Sequence, residues 1–157
     1  ELTIHPRIRT AFYKGSVDMD MFRLAAAESK APLCYNGDIT AVEDINKICD
    51  QFPQVHSVMI GRGLIADPGM LTPGGTTREA LQGYLDALLE EYLVSFGGSR
   101  NAMFRMKENW SFLRYRFQDI DRLWKQLRKT TDLQEYKTIS REIFHTLPLT
   151  TQFDPQW

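Results

Sequence analysis

No run of apolar residues in the 157-residue sequence approaches the roughly 20 needed to cross a bilayer. No basic-then-apolar leader stands ahead of the first segment either. The expectation is a soluble globular protein of the cytoplasm, neither secreted nor integral to a membrane. Cysteine is scarce: Cys34 and Cys49 sit singly among apolar neighbours without metal-ligand spacing, and read as reduced core thiols. No metal site is expected. Charge of one sign is lacking as well, since 19 basic and 20 acidic side chains leave a formal net charge of −1. A nucleic-acid partner would have to be met by a local patch, not by the field of the whole molecule. Repeats and low-complexity tracts are absent. So is an initiator methionine, and the chain opens directly on a strand pattern, Glu1-Leu2-Thr3-Ile4-His5, so that it reads as a piece of a longer protein.

What is present falls into two textures. In the first, Val17 to Lys30 has helical spacing, Ala31 to Tyr35 is a short apolar strand, Thr40 to Phe52 is helical again, and His56 to Ile60 is another short strand. Thr40, three residues before Glu43, fits a helix N-cap with a capping-box partner. Short apolar strands separated by helices imply parallel strands buried on both faces, built as βα units. After Gly74-Gly75 the texture changes. Thr76 to Phe96, Ser99 to Gln118, Asp119 to Lys129 and Asp132 to Leu147 all carry helical spacing, with breaks at Gly97-Gly98-Ser99 and Thr130-Thr131-Asp132, and Pro148 closes the last. The sequence thus predicts an α/β part over residues 1–75 and an all-α bundle over 76–157.

The polar chemistry gathers where the strands end. The first ends in His5-Pro6-Arg7, the second in Asn36-Gly37-Asp38, the third in Gly61-Arg62-Gly63. In a parallel α/β barrel the C-terminal strand ends form the catalytic face, and the loops after the last two strands, with a short extra helix, commonly bind phosphate. Leu64 to Leu71 reads as that helix. Glycine lets backbone N–H groups approach phosphate oxygens, and Arg62 supplies a permanent cation with a forked donor geometry. Each motif alone has a plainer reading: Asn36-Gly37 as a turn, Gly61-Arg62-Gly63 as a tight βα connection, His5 as a satisfied strand-end residue. In this order and spacing they favour a phosphate-bearing ligand.

In the helical part, residues 100–129 hold nine basic side chains against three acidic ones, a local net charge of +6 in a near-neutral chain. That is the footprint expected of a phosphate-backbone contact surface, although any solvated helix also carries charge. Met103, Met106, Trp110, Leu113 and Phe117 recur at three- and four-residue steps as a buried stripe, while Arg100, Lys107 and Arg114 recur every seven residues on a neighbouring, outward face. Trp110 and Trp124 fall on apolar stripes and read as core anchors.

The segments Leu2-Thr3-Ile4-His5-Pro6-Arg7, Tyr13-Lys14-Gly15, Asn36-Gly37-Asp38-Ile39, Val58-Met59-Ile60-Gly61-Arg62-Gly63 and Asp67-Pro68, in this order, resemble the C-terminal barrel half of tRNA-dihydrouridine synthases. The resemblance is close over about the first 70 residues and looser beyond. It implies the last strands of an FMN-binding TIM barrel followed by a helical tRNA-binding domain, in an oxidoreductase that uses NADPH to reduce the uracil 5,6 double bond in tRNA. It further implies that His5 contacts the flavin, that Asn36, Gly37 and Asp38 line the FMN site, and that Gly61 and Arg62 grip its phosphate. Arg7, Arg100, Lys107, Arg114, Lys125 and Lys129 become the expected tRNA contacts, with Arg9 as a further basic residue past the first strand. The family's proton-donating cysteine belongs to the barrel's first half, and neither Cys34 nor Cys49 matches its motif, so no catalytic residue is expected in this chain and the piece alone is expected to be inactive. Its open barrel edges would be templates for self-association. Two other readings stay open: a phosphate-binding barrel enzyme acting on a small metabolite, and a non-catalytic tRNA-binding module.

Overall fold

The computed structural model describes residues 1–8, 10, 15–150 and 155. Arg9, Tyr13 and Lys14 of the motifs above lie outside the described residues. The chain divides into two compact units, Glu1–Leu64 and Ile65–Pro155.

The first unit is built on three strands, β1 (Leu2–Ile4), β2 (Leu33–Tyr35) and β3 (Val55–Val58), hydrogen-bonded in that order and all parallel. Parallel neighbours need a crossover, and helices α1 (Met19–Glu28) and α2 (Val42–Gln51) supply the two. Both helices are shorter than their apolar spacing suggests, because their ends are fixed by capping. Asp18 accepts from the Met21 N–H at the start of α1. At α2 the expected cap shifts by one residue: Ala41 is the N-cap, and the Asp44 carboxylate, not Glu43, reaches back to accept from the Thr40 and Ala41 N–H groups and from the Thr40 hydroxyl, each at 3.1 Å. Burial pushes the Asp44 carboxyl up, but these bonds and Lys47 outweigh it and hold the group below the usual aspartate range. The core is Phe22 packed edge-on to Tyr35 and Phe52 at 4.9 and 5.0 Å, with Leu33, Ile39, Ile48 and Val55 around it. Cys34 is buried in β2 as expected. Cys49 is not: it sits on the exposed side of α2, while Ile48 beside it takes the core position.

A five-residue helix, α3 (Arg62–Ala66), follows β3. The sequence suggested a short helix at Leu64 to Leu71; it begins earlier and ends before Asp67, where turns take over.

The second unit holds helices α4 (Arg78–Ser95), α5 (Ser99–Leu113), α6 (Asp121–Lys129) and α7 (Leu133–Thr146) around a common core that includes Leu81, Leu85, Leu89, Met106, Trp110, Leu123, Leu127 and Ile143. The predicted α5 stripe is buried throughout, Phe117 included. The helix itself stops at Leu113, though, and Arg114–Arg116 form a 3-10 turn. Trp110 donates its indole N–H to the Tyr136 hydroxyl at 2.9 Å inside the core, and burial drives the Tyr136 phenol pKa upward. Trp124 is only partly buried, packed at the margin of this core. Among the described residues no helix is long and apolar enough to cross a membrane.

Candidate functional site

Because the three strands are parallel, their C-terminal ends share one edge of the sheet. His5 follows β1, Asn36-Gly37-Asp38 follows β2, and Gly61-Arg62-Gly63 follows β3 by two residues. The groups are tied together there. His5 Nδ1 contacts the Asn36 carbonyl oxygen. A carbonyl only accepts, so Nδ1 carries the hydrogen, and in the neutral ring Nε2 is left as an acceptor facing away from this bond.

Asp38 is the centre of the charge arrangement. Its Oδ2 accepts from Arg7 at 2.5 Å and its Oδ1 from Arg62 at 2.8 Å, so one carboxylate joins arginines from two other strand ends. Arg7 also donates to the Gly15 carbonyl at 2.6 Å. Charge-assisted bonds of this kind are shorter and stronger than neutral ones, and they fix both guanidinium planes. Among the described residues, two guanidiniums thus meet on one carboxylate at this edge of the sheet. The Arg7 side chain is only 2 % exposed and that of Arg62 16 %. Arg7, assigned from sequence to tRNA, is therefore brought together with the strand-end residues. Beneath the cluster, burial and then the Asp38 and Asp44 carboxylates push the Tyr35 phenol up to about 12, Arg7 opposing, so it stays protonated near neutrality.

The glycines of this edge differ in what requires them. A Cβ on Gly37 would overlap the Tyr35 ring, and one on Gly63 would overlap the Ile39 carbonyl oxygen. A Cβ on Gly61 would meet no atom within 4 Å, and its φ lies outside the left-handed range. Neither packing nor backbone conformation asks for glycine at 61. Among the described residues, the space in front of it is open.

Asp67, part of the last motif, is buried in the second unit. It accepts from the Thr76 hydroxyl and pairs with Arg116 at 3.6 Å, which makes it a brace between the 67–76 loop and the 3-10 turn.

The basic residues of the helical unit separate into two groups. Arg100, Lys125, Arg128 and Lys129 are exposed and form no ion pair among the described residues. Arg128 was counted in the charge surplus but not singled out as a contact. Lys107 is half-buried and donates to the Thr130 carbonyl, and desolvation lowers its pKa against the pull of Glu135. Arg114 does not continue an outward row: with α5 ended, its guanidinium lies over the Tyr115 ring at 4.3 Å and donates to the Tyr115 hydroxyl at 2.6 Å. Arg105 and Arg122 are engaged with Glu108 and Glu142. Phe104, which the sequence reading did not single out, falls outside the spacing of the buried stripe on the same helix and stands 62 % exposed.

Comparison with known proteins bears on both units. The family model described as dihydrouridine synthase matches residues 1–153. Among similar curated proteins are tRNA-dihydrouridine synthase B of Pasteurella multocida, 33% identical over 43% of this chain and 20% of that protein, and a probable tRNA-dihydrouridine synthase of Rhizobium leguminosarum, 30% identical over 74% of this chain and 37% of that protein. The tRNA-dihydrouridine(16) synthase of Shewanella oneidensis is 28% identical over 84% of this chain and 44% of that protein. The chain thus spans less than half the length of these relatives.

Proposed function

The chain belongs to the dihydrouridine synthase family, and from that premise we propose that the whole protein is a flavin-dependent oxidoreductase that reduces the 5,6 double bond of uracil in tRNA, with FMN as resident cofactor and NADPH as reductant. Residues 1–75 are the C-terminal strands of its TIM barrel, and residues 76–157 are its helical tRNA-binding domain. The observation that carries the cofactor reading is Gly61: an open place at a β-strand end, beside a guanidinium fixed by its own carboxylate, is room for a phosphate that a side chain would fill.

The residues present fit FMN. Gly61 would let backbone N–H groups approach the phosphate, and Arg62 would face it with a donor fork whose orientation Asp38 sets. His5, held through Nδ1 by the Asn36 carbonyl, would present Nε2 to the flavin. When bound, FMN supplies the two-electron reduction. The chain's own part is to seat the cofactor, tune its surroundings through His5 and the arginine pair, and hold the RNA. A target base within folded tRNA must leave its stack to reach such a site, so the grip on the rest of the RNA falls to backbone contacts by side chains such as Arg100, Lys125 and Lys129.

Purified whole protein is expected to carry FMN that is released on denaturation and rebinds in a fluorescence titration, with Arg62→Ala weakening it by about 1.5 to 3 kcal/mol, the range for a hydrogen bond to a charged group. A preparation that neither contains nor binds flavin would contradict the reading.

A further inference from the structure

The second unit has a groove where α4 gives way to α5. Its volume is about 1150 Å³, and its walls include Phe96, Gly98, Arg100, Phe104, Lys107 and Thr130. Among the described residues the lining is of one sign, with two cations and no carboxylate. It is also aromatic and open to water: Phe104 is 62 % exposed and Phe96 41 %, although α5 buries Met103, Met106 and Trp110 in the core. Large apolar side chains standing together in water mark a contact surface more often than chance would place them. Gly98 has an extended φ of 171° that any residue adopts, and a Cβ there would meet nothing within 4 Å, so the fold does not demand the open floor it provides. Lys107 is anchored by its bond to the Thr130 carbonyl, and Arg100 reaches solvent.

The geometry points to a seat for an unpaired nucleotide of an RNA partner, its base against the exposed phenyl rings and its phosphate drawn to Arg100 and Lys107. An acidic peptide would use the cations but has no need of flat rings. An apolar segment would use the rings but would gain nothing from two cations without a carboxylate. A nucleotide uses both, since every base has a π-face and every phosphate a charge. The inference rests on the reading that the helical unit meets tRNA, and adds to it a contact to a base where that reading needs only the backbone.

The test is binding of an unmodified tRNA transcript and of a blunt RNA duplex to the 157-residue chain, followed by fluorescence anisotropy across a salt titration. Phe104→Ala is expected to lower tRNA affinity about thirtyfold, the middle of the range for losing one stacked base, with Phe104→Trp restoring it and duplex affinity unchanged by either. Arg100→Gln is expected to reduce the slope of log affinity against log salt by about one phosphate contact. Both side chains are exposed, and circular dichroism checks that the helices survive. If the wild type binds tRNA and Phe104→Ala binds it equally well, the groove serves something else, such as a protein segment, and the inference falls while the tRNA reading stands. An equal loss on duplex and tRNA would also overturn it, because the ring would then act without an unpaired base. Failure of the wild type to bind either RNA would overturn both.

Discussion

Three glycines stand among the polar groups at the strand ends, and substitution should tell them apart. Gly63 approaches the Ile39 carbonyl so closely that a methyl group cannot be added without moving backbone, which costs roughly 1–3 kcal/mol. Gly61 has no such neighbour. Gly63→Ala is therefore expected to lower the thermal unfolding midpoint, whereas Gly61→Ala should leave stability within about 0.5 kcal/mol and reduce FMN affinity in the whole protein by roughly tenfold. Calorimetry with flavin titration on both variants checks the contrast, and an unchanged flavin affinity for Gly61→Ala would remove that residue from the site. The sequence marked both glycines alike because a Gly-x-Gly pattern records the absence of side chains, not what fills the space. The Asp38 bridge was hidden for a related reason: charged residues far apart in sequence meet only once the register of three strands is set, and that register rests on pairings such as Leu2 with Leu33 and Tyr35 with Val58.

Capping decides where the elements begin, and it is here that sequence reading succeeds or slips by one residue. Asp132, which the sequence reading gave as the start of a helical span, stands just before α7 as its cap and accepts from the Glu135 N–H at 2.8 Å. At α2 two carboxylates compete for one role, Glu43 and Asp44, and only contact with the Thr40 hydroxyl and both N–H groups selects Asp44. Asp44→Ala is expected to destabilise the protein by about 1 kcal/mol at neutral pH. The folded-state pKa of Asp44 lies below its ordinary 3.8, so its contribution is present above that value and is lost as pH falls through the depressed one. The difference between wild type and variant in denaturant titrations should accordingly narrow under acid; a constant difference down the pH range would assign the effect to packing instead. At α5 the seven-residue spacing of Arg100, Lys107 and Arg114 held only while the helix did. A 3-10 turn turns Arg114 onto Tyr115, and neither residue spacing nor charge announces such a turn.

On the scale of the whole molecule, the change of texture that the sequence shows after Gly74-Gly75 was the clearest signal: among the described residues all three strands lie before that break, and the elements after it are helical. Each unit has its own apolar cluster, and the buried stripe of α5 was readable because helical period and burial coincide there. Where a neutral chain concentrates its positive charge was equally readable, but which cations remain available was not. Arg105, Arg116 and Arg122 pair with Glu108, Asp67 and Glu142, and among the described residues the exposed cations of this stretch without an ion pair are Arg100, Lys125, Arg128 and Lys129. The two functions proposed for the units meet in one reaction product, dihydrouridine. Mass-spectrometric mapping of tRNA from cells with and without the gene tests that directly. The account predicts that at least one uridine position loses its two-dalton increment when the gene is deleted, and regains it with the wild-type gene but less fully with the Gly61→Ala form. An identical dihydrouridine map in both strains, under conditions where the protein is made, would contradict it.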